Sequence, residues 1–356
     1  MPAEGRDVSA AVEAILLEAE HRAPREPHTL FIGGGTPSLL SVAQLTHFLD
    51  RLDEISGFRN SAVEVTLECN PESLDFDKAR ALLDLGVGRL SIGFQSLQSS
   101  TLELFGRVHD VDQSFRAYDA ARAAGVGDIN IDMIFAAPGQ QAPEWRTSLT
   151  RVLDLEPDHL SAYNLAFEEE TLFARWLRTG KVKALPEEVE LEFLEITLEL
   201  TDKHGFGRYE ISNYARPGRE CRHNLNYWSN GSYLGLGPSA VSYADFRRAG
   251  NVREILTYQQ AIADRHEAED WSETLRPEAR LGETWWLGLR RMQGVAPEEA
   301  RRTAGYSAEP DPPTETATTL VGEGLLEFVD GRYKLSSKGL PLADRIAAEF
   351  LLPAEE

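Results

Sequence analysis

The first half of the chain alternates between short apolar segments of strand type and longer segments with helical periodicity, at intervals of roughly 30 residues. Gly86 and Gly125 each follow a helical segment, where a helix commonly ends in a left-handed glycine. Because such alternation returns every strand in the same direction, it predicts a parallel α/β sheet with crossover helices. Periodicity alone leaves a barrel and an open doubly wound sheet as alternatives. The predicted strands cover residues 29–32, 62–67, 89–94, 128–135 and 159–163.

The second half of the chain follows a different pattern. A long amphipathic helix is predicted over residues 187–203, and residues 209–243 are rich in glycine, asparagine and aromatic residues. Helical periodicity returns at residues 252–267. From residue 276 onward, helical segments precede two alternating segments that are joined by Asp330-Gly331, which is a strong hairpin signal. This order predicts a small winged-helix-like module with a structural role.

Composition excludes several classes of protein. Asp and Glu number 58 against 36 Lys and Arg, and a net charge of −22 gives no surface to neutralise nucleic-acid phosphates or to bind an anionic membrane. Cys69 and Cys221 are the two cysteines, which excludes a disulfide framework and any cysteine-rich metal site built from this sequence alone. Residues 1–7 lack a signal-peptide pattern and no transmembrane-length apolar run follows, so we expect a cytoplasmic protein.

A glycine triplet directly follows the first predicted strand, as Gly33-Gly34-Gly35-Thr36. Glycines leave the backbone approachable and permit positive φ angles. In a parallel α/β fold this loop lies at the C-terminal end of a strand, which is where ligands bind. The segment is not a Walker A loop, because no Gly-Lys-Ser/Thr follows. A tight turn without a ligand is the alternative interpretation.

Polar residues recur at or near the ends of the following strands. Glu68, Gln95 and Asp132 lie on three successive predicted strand units, and Arg107 lies in the segment after the third strand. Each residue alone is more often a helix cap or a surface residue. Together, at one edge of a sheet, they suit a ligand that carries amine, carboxylate and hydroxyl groups.

A second dense patch contains His223 within His-Asn-Leu-Asn-Tyr-Trp. Imidazole can ligate haem iron, and flanking aromatic rings can cover the faces of the macrocycle. The alternative is a buried, hydrogen-bonded histidine in an aromatic cluster, and from this segment alone that alternative is the more common case.

Five segments occur here in the order that they have in one family. They are residues 33–38, 68–71, 89–96, 130–132 and 223–228. From about Val8 to its end, the chain resembles the radical S-adenosylmethionine proteins related to oxygen-independent coproporphyrinogen III oxidase. The His-Asn-x-x-Tyr-Trp element favours their haem-chaperone branch. The resemblance implies a partial parallel (β/α)6 barrel of TIM type and a C-terminal HemN-type domain. The implied division is a barrel at 1–200, an intermediate segment at 201–270 and the C-terminal domain at 271–356.

The resemblance also implies which residues contact S-adenosylmethionine. Glu68 would bind its amino group, Arg107 its carboxylate, and Asp132 a ribose hydroxyl or a nearby polar atom. His223 would be the candidate haem ligand. The positions that match the family's cofactor contacts are Gly34, Gly35, Thr36, Glu68, Gln95, Arg107, Asp132 and Ala166.

The function that the resemblance implies is that of a haem chaperone, which binds haem and delivers it to acceptor haemoproteins, with transient contact to membrane-bound haemoproteins. One alternative is an oxygen-independent coproporphyrinogen III oxidase of porphyrin biosynthesis, so any enzymatic activity would be that of a coproporphyrinogen dehydrogenase-like oxidoreductase. A second alternative is a cluster-free haem-binding protein.

The family places a Cys-x-x-x-Cys-x-x-Cys motif upstream of the glycine triplet, and its three thiolates hold a [4Fe–4S] cluster. This sequence has no such motif. We therefore expect the cluster only in a complete form of the protein that includes the first barrel strand. A misplaced start is the favoured explanation over natural loss of the cluster, since a barrel without its first strand exposes the edge of the next one.

Overall fold

The computed structural model describes residues 8–169 and 171–351. Their contacts divide them into two compact units, each assembled from separate stretches of the chain. The first unit comprises residues 8–30, 43–63 and 221–351, and the second comprises residues 31–42, 64–169 and 171–220. The division at 1–200, 201–270 and 271–356 stays a prediction, and its two outer ends, residues 1–7 and 352–356, lie outside the described residues.

The described residues contain fifteen α-helices. They are α1 (Val8–Arg22), α2 (Val42–Ser56), α3 (Phe58–Ser61), α4 (Phe76–Asp84), α5 (Ser99–Leu104), α6 (Val111–Ala123), α7 (Ala142–Leu153), α8 (Leu172–Arg178), α9 (Glu187–Lys203), α10 (Arg222–Trp228), α11 (Ile255–Arg265), α12 (Pro277–Gly288), α13 (Pro297–Ala304), α14 (Pro312–Gly322) and α15 (Ala343–Ala348). Short 3-10 turns cover Pro37–Leu39, Pro71–Ser73 and Leu340–Leu342.

The strands of the described residues form three sheets. They are β1 (Thr29–Ile32), β2 (Glu64–Cys69), β3 (Arg89–Gln95), β4 (Asp128–Phe135), β5 (His159–Asn164), β6 (Gly207–Arg208), β7 (Asn213–Ala215), β8 (Val241–Ala244), β9 (Arg247–Asn251), β10 (Glu269–Thr274), β11 (Leu326–Val329) and β12 (Arg332–Leu335).

The large sheet has the order β1-β2-β3-β4-β5-β7-β6. Strands β2, β3, β4 and β5 pair in parallel, which confirms the predicted parallel α/β fold. The parallel run ends where β7 pairs antiparallel with β5 and with β6. Among the described residues the order runs between two ends without closing, as expected of a partial barrel. The central β3 is buried at every residue but the last, whereas all four residues of the end strand β1 are half-buried.

Local sequence signals account for the helix boundaries in this sheet unit. The Asp75 carboxylate accepts a hydrogen bond from the Lys78 amide at 2.8 Å and so caps the start of α4. Asp110 and Gln113 form a reciprocal capping box at the start of α6. Gly86 and Gly125, just past the ends of these helices, both have φ of +95°, which confirms their predicted role as terminating glycines.

The first unit holds a buried glutamate on its first helix. The Glu18 side chain on α1 is fully buried and accepts hydrogen bonds from the Gly237 amide at 2.8 Å, the Asn251 amide group at 2.8 Å and the Tyr258 hydroxyl at 2.7 Å. Arg22, one helical turn later, pairs with the same carboxylate. The donors lie more than 200 residues away in sequence, so this carboxylate joins distant segments of one unit.

The C-terminal part of the first unit packs α12, α13, α14 and α15 around Trp285, with β11 and β12 as a hairpin. Asp330 and Gly331 form its two-residue turn with φ of +52° and +76°, as the Asp-Gly signal predicts. Strands β8, β9 and β10 form a second antiparallel sheet in this unit. No helix in the described parts of the chain combines the length and apolar character that crossing a membrane requires.

Candidate functional site

A cavity of about 290 Å³ lies in the second unit, where the parallel strands end. Strand β2 contributes Glu68, β3 ends at Gln95, and β4 contributes Asp132. Because parallel strands present their C-terminal ends on one side, residues distant in sequence meet there. Six of the residues singled out from the sequence line this cavity: Gly35, Thr36, Glu68, Gln95, Arg107 and Asp132.

The glycine loop packs directly against the Glu68 carboxylate. The Gly34 amide donates a hydrogen bond to Glu68 Oε2 at 3.2 Å, and Gly34 itself has φ of +80°. A Cβ on Gly33 would lie 2.7 Å from the Glu68 carboxyl group and from the Phe31 ring, so a larger residue there would displace these side chains. The loop therefore belongs to the carboxylate's binding environment.

Gln95 is held in a left-handed backbone conformation, with φ of +65°. Non-glycine residues pay about 1–2 kcal/mol for this conformation, and such strain concentrates at functional sites. The register of β3 with β4 shifts between Gly93 and Gln95. A Cβ on Gly93 would lie 2.8 Å from the side-chain Nε2 atom of Gln95. The glycine thus leaves room for the Gln95 side chain beside the cavity.

The two acidic residues of the cavity differ in their electrostatic environment. Burial raises the pKa of Glu68, and the negative charge of Asp132 raises it further. Asp132 accepts hydrogen bonds from the Ser91 hydroxyl at 2.8 Å and the Asn130 amide at 2.9 Å. Glu68 accepts one hydrogen bond in this comparison, from the Gly34 amide, whereas Asp132 accepts two. An incoming ammonium group would therefore stabilise the Glu68 carboxylate more than that of Asp132.

A buried hydrogen-bond chain supports Asp132 from behind. The Asn130 Oδ1 atom accepts from His159 Nδ1 at 2.6 Å, and His159 Nε2 lies 2.8 Å from the Tyr209 hydroxyl. Burial lowers the pKa of His159 well below its usual value, so the ring is neutral. Its Nε2 atom therefore accepts a hydrogen bond from the Tyr209 hydroxyl. This chain fixes the orientation of Asn130 and, through it, of Asp132.

Sequence reasoning assigned no role to several residues of the cavity. Asn70 receives a 3.5 Å hydrogen bond from Arg107 and donates to Thr36 Oγ1 at 3.3 Å, so it links the glycine loop to the arginine. Cys69 also lines the cavity, and burial raises the pKa of its thiol to about 12, which keeps it protonated. Tyr163, from β5, also lines the cavity. Asn70 lies within residues 68–71, one of the five segments that carry the family resemblance, whereas no local signal marks Tyr163.

Ala166 is exposed in the segment after β5 and is not among the residues that line this cavity. Its assignment as a cofactor contact stays a prediction.

His223 lies in the first unit, on the short helix α10. Its Nδ1 is 2.8 Å from the Thr29 hydroxyl oxygen, and its Nε2 is 3.0 Å from the Tyr227 hydroxyl oxygen. The imidazole and the Tyr227 ring meet edge to face at 4.9 Å. Because both ring nitrogens carry hydrogen bonds, the imidazole can bind a metal only by exchanging one of them.

The donors of the sheet cavity fit S-adenosylmethionine, which has an ammonium group, a carboxylate and ribose hydroxyls. They do not fit a [4Fe–4S] cluster of the expected kind, because three thiolates are needed and the sequence has two cysteines. Both cysteines are buried, and no group of three or more His, Cys, Asp or Glu side chains within residues 8–169 and 171–351 is arranged to hold a metal ion.

The chain is similar to a family model, to curated relatives and to a solved structure. A model of the Radical SAM superfamily matches residues 2–152. The heme chaperone HemW of Bacillus subtilis is 33% identical over 91% of this chain and 85% of that protein. HemW of Lactococcus lactis is 30% identical over 98% of this chain and 91% of that protein. The solved structure of coproporphyrinogen III oxidase (HemN) from Escherichia coli, a radical SAM enzyme, is similar with a TM-score of 0.81 and 25% identity, over 96% of this chain and 82% of that chain.

Proposed function

Because this chain belongs to the HemW haem chaperone family, within the radical SAM superfamily, we propose that it binds haem and delivers it to acceptor haemoproteins. The observation that carries the proposal is the extent of the likeness, which reaches 98% of this chain in one relative and therefore includes residues of both compact units. We also propose that the acceptors include membrane-bound haemoproteins and that the chain acts in the cytoplasm.

Haem binding is proposed for the first unit, at the His-Asn-x-x-Tyr-Trp element. His223 and Tyr227 form a hydrogen-bonded pair there, and histidine and tyrosine are both known axial ligands of haem iron. Tyr227 in turn meets Tyr233 edge to face at 4.6 Å. A histidine and a tyrosine beside a further aromatic ring support the proposal of a planar, iron-containing cargo.

The sheet cavity is proposed to bind S-adenosylmethionine. Glu68 pairs with the ammonium group, Arg107 with the carboxylate, and Asp132 with a ribose hydroxyl. The backbone of Gly34, Gly35 and Thr36, with Gln95, surrounds the rest of the methionine part. In its family this cofactor supplies radical chemistry together with an iron–sulfur cluster. The residues of this chain bind and orient the cofactor.

A titration of the purified chain with ferric haem, followed by its absorption spectrum, tests the haem proposal. We expect saturation at one haem per chain, and we expect His223→Ala to change the spectrum and weaken binding at least tenfold. His47→Ala is the matched control, because His47 is an exposed histidine of α2 that pairs with Glu13. Equal weak binding by the unaltered chain and both variants, without saturation, would refute the proposal.

A coproporphyrinogen oxidase is the second candidate, and the likeness to the HemN structure favours it. The relatives with higher identity over most of their length carry the chaperone name, so the chaperone function is preferred. Formation of protoporphyrinogen from coproporphyrinogen by a cluster-containing form of the protein would support the oxidase and contradict the preference for the chaperone function.

A further inference from the structure

The Asn70 side chain joins three parts of the sheet cavity. Its Nδ2 group donates hydrogen bonds to Thr36 Oγ1 at 3.3 Å and to Glu72 Oε1 at 3.1 Å. Its Oδ1 atom accepts from the Arg107 guanidinium at 3.5 Å. Because a carboxylate oxygen accepts and a guanidinium donates, these two neighbours fix which end of the amide faces each of them. Both Nδ2 hydrogens are engaged, so Asn70 acts on a ligand through its neighbours.

The backbone at Asn70 is also fixed by hydrogen bonds. Its amide donates to the Ser38 hydroxyl oxygen at 3.0 Å, and Ser38 is fully buried in the 3-10 turn after the glycine loop. The Ser73 hydroxyl donates to the Asn70 carbonyl oxygen at 2.9 Å, and the Lys78 ammonium group donates to the Ser38 carbonyl oxygen at 2.6 Å. A short side chain on a fixed backbone has few positions available, so Asn70 can hold its neighbours in one arrangement.

Glu72, which accepts a hydrogen bond from Asn70, is itself placed against a buried histidine. Its Oε2 atom lies 3.4 Å from His109 Nδ1. The other ring nitrogen, Nε2, lies 3.3 Å from the Phe94 carbonyl oxygen and donates to it, because a carbonyl oxygen only accepts. Phe94 lies in β3, and His109 follows Arg107 by two residues. The segment that carries the arginine is therefore anchored to β3 through His109.

These anchors matter for Arg107, whose side chain lines the cavity. An arginine has a long, flexible stem, and fixing it on a ligand costs conformational entropy. Its guanidinium group has five N–H donors, and Asn70 engages one of them. The planar group can present another pair to a carboxylate in the bidentate geometry that makes such contacts strong. An arginine that is held beforehand loses less entropy on binding and so gives a tighter complex.

We propose that Asn70 positions Arg107 for the carboxylate of an amino-acid-bearing ligand, with Glu72 and His109 holding Asn70 in place. The inference rests on the proposed binding of S-adenosylmethionine and assigns the groups that determine selectivity for its carboxylate. Asn70 is a positioning residue, since it acts through Arg107. Its removal therefore weakens recognition of one end of the ligand and leaves the contacts to the ribose and the ammonium group intact.

The test measures the binding of two ligands to the full chain by isothermal titration calorimetry. They are S-adenosylmethionine and decarboxylated S-adenosylmethionine, which lacks the carboxylate but keeps the ammonium, sulfonium and adenosine parts. We expect the unaltered chain to prefer S-adenosylmethionine by about tenfold, since hydrogen bonds to a charged group are lost with the carboxylate. Asn70→Ala should lower the affinity for S-adenosylmethionine about tenfold and change that for the decarboxylated ligand by less than about threefold.

Variants of Glu72 separate a hydrogen-bonding role from a role of its charge. Glu72→Gln keeps an oxygen that accepts from Asn70, and we expect it to retain the preference to within about threefold. Glu72→Ala removes that acceptor and should reduce the preference in the same way as Asn70→Ala. Asn164→Ala is the matched control, because the Asn164 amide donates to the Glu190 carboxylate at 3.0 Å and Asn164 does not line the cavity. It should leave both affinities unchanged.

Circular dichroism of each variant shows whether it is folded, and if Asn70→Ala is unfolded, the two Glu72 variants decide in the same way. An unchanged preference in folded Asn70→Ala, or equal weakening of both ligands, would overturn the inference while leaving the proposed cofactor in place. The same holds for a lack of preference in the unaltered chain. Absence of saturable binding of S-adenosylmethionine to the unaltered chain would instead refute the proposed cofactor and, with it, the inference.

Discussion

Glu68 shows how a single residue gains its role from its surroundings. The sequence places it at the end of a predicted strand, and the structure adds the Gly34 amide at 3.2 Å and the nearby charge of Asp132. The glycine loop, the polar residues of three predicted strands and Arg107 together identified six residues of the cavity. Tyr163 escaped detection because its role depends on the order of strands in the sheet, which no local pattern reports.

The raised pKa of Glu68 leads to a pH-dependence of cofactor binding. An ammonium group pairs with the ionised carboxylate, and protonation removes that pairing. Because the pKa is raised, affinity for S-adenosylmethionine should begin to fall at a higher pH than an ordinary glutamate would give, as the pH is lowered from neutrality into the acidic range. Calorimetric titration across this range measures the effect.

Glu68→Gln should bind S-adenosylmethionine roughly ten- to a hundredfold more weakly at neutral pH and lose this pH-dependence, since a hydrogen bond to a charged group contributes about 1.5–3 kcal/mol. Glu64→Gln, on the same strand but outside the cavity lining, is the control. Parallel curves for the unaltered chain and Glu68→Gln would contradict the assignment of the ammonium to Glu68.

Gly33 gives a second prediction at the residue scale. A methyl group there would meet the Glu68 carboxyl group and the Phe31 ring at 2.7 Å and displace them, so Gly33→Ala should lower the free energy of unfolding by about 1 kcal/mol. Gly88→Ala adds a methyl group into open space and should change it by less than about 0.5 kcal/mol. Urea denaturation compares the two variants, and equal effects would argue against close packing of the glycine loop.

At the scale of elements, periodic segments were predictable and irregular ones were not. The predicted strand at residues 159–163 is observed as β5 (His159–Asn164), and the helix predicted over residues 252–267 contains α11 (Ile255–Arg265). The sequence did not indicate β10, because its residues are mostly exposed and charged, without alternation. Helix α10 was missed in a segment dominated by glycine and asparagine. Such elements form through pairing with distant segments, which local patterns do not report.

Helix α1 illustrates the same limit and provides a stability prediction. Its apolar spacing predicted the helix, but nothing local marks Glu18 as a buried acceptor for donors far along the chain. Glu18→Ala should lower the free energy of unfolding by about 3–5 kcal/mol, because it leaves Arg22 and buried donors without their carboxylate. Glu20→Ala, which removes an exposed pairing with Arg51, should cost less than about 1 kcal/mol. Thermal unfolding of both variants checks this, and similar losses would contradict a central role for Glu18.

At the scale of the whole molecule, the order of five motifs identified the family before any contact was known, whereas the assembly of the first unit from three separate stretches was not foreseeable. Local periodicity identifies elements, but which distant elements share a core depends on side-chain packing across the chain. The sheet cavity lies in the second unit and His223 in the first, so cofactor binding and haem binding can be tested by separate variants.

The central claim is that this chain carries haem and hands it to other proteins, and haem transfer tests it most directly. The chain is loaded with one equivalent of ferric haem, freed of excess haem, and mixed with an apo-haemoprotein whose holo spectrum is distinct. The account predicts stoichiometric loading and transfer to the acceptor, with His223→Ala loading poorly under the same conditions. Failure to load stoichiometrically, or retention of all haem in the presence of excess acceptor, would contradict the account.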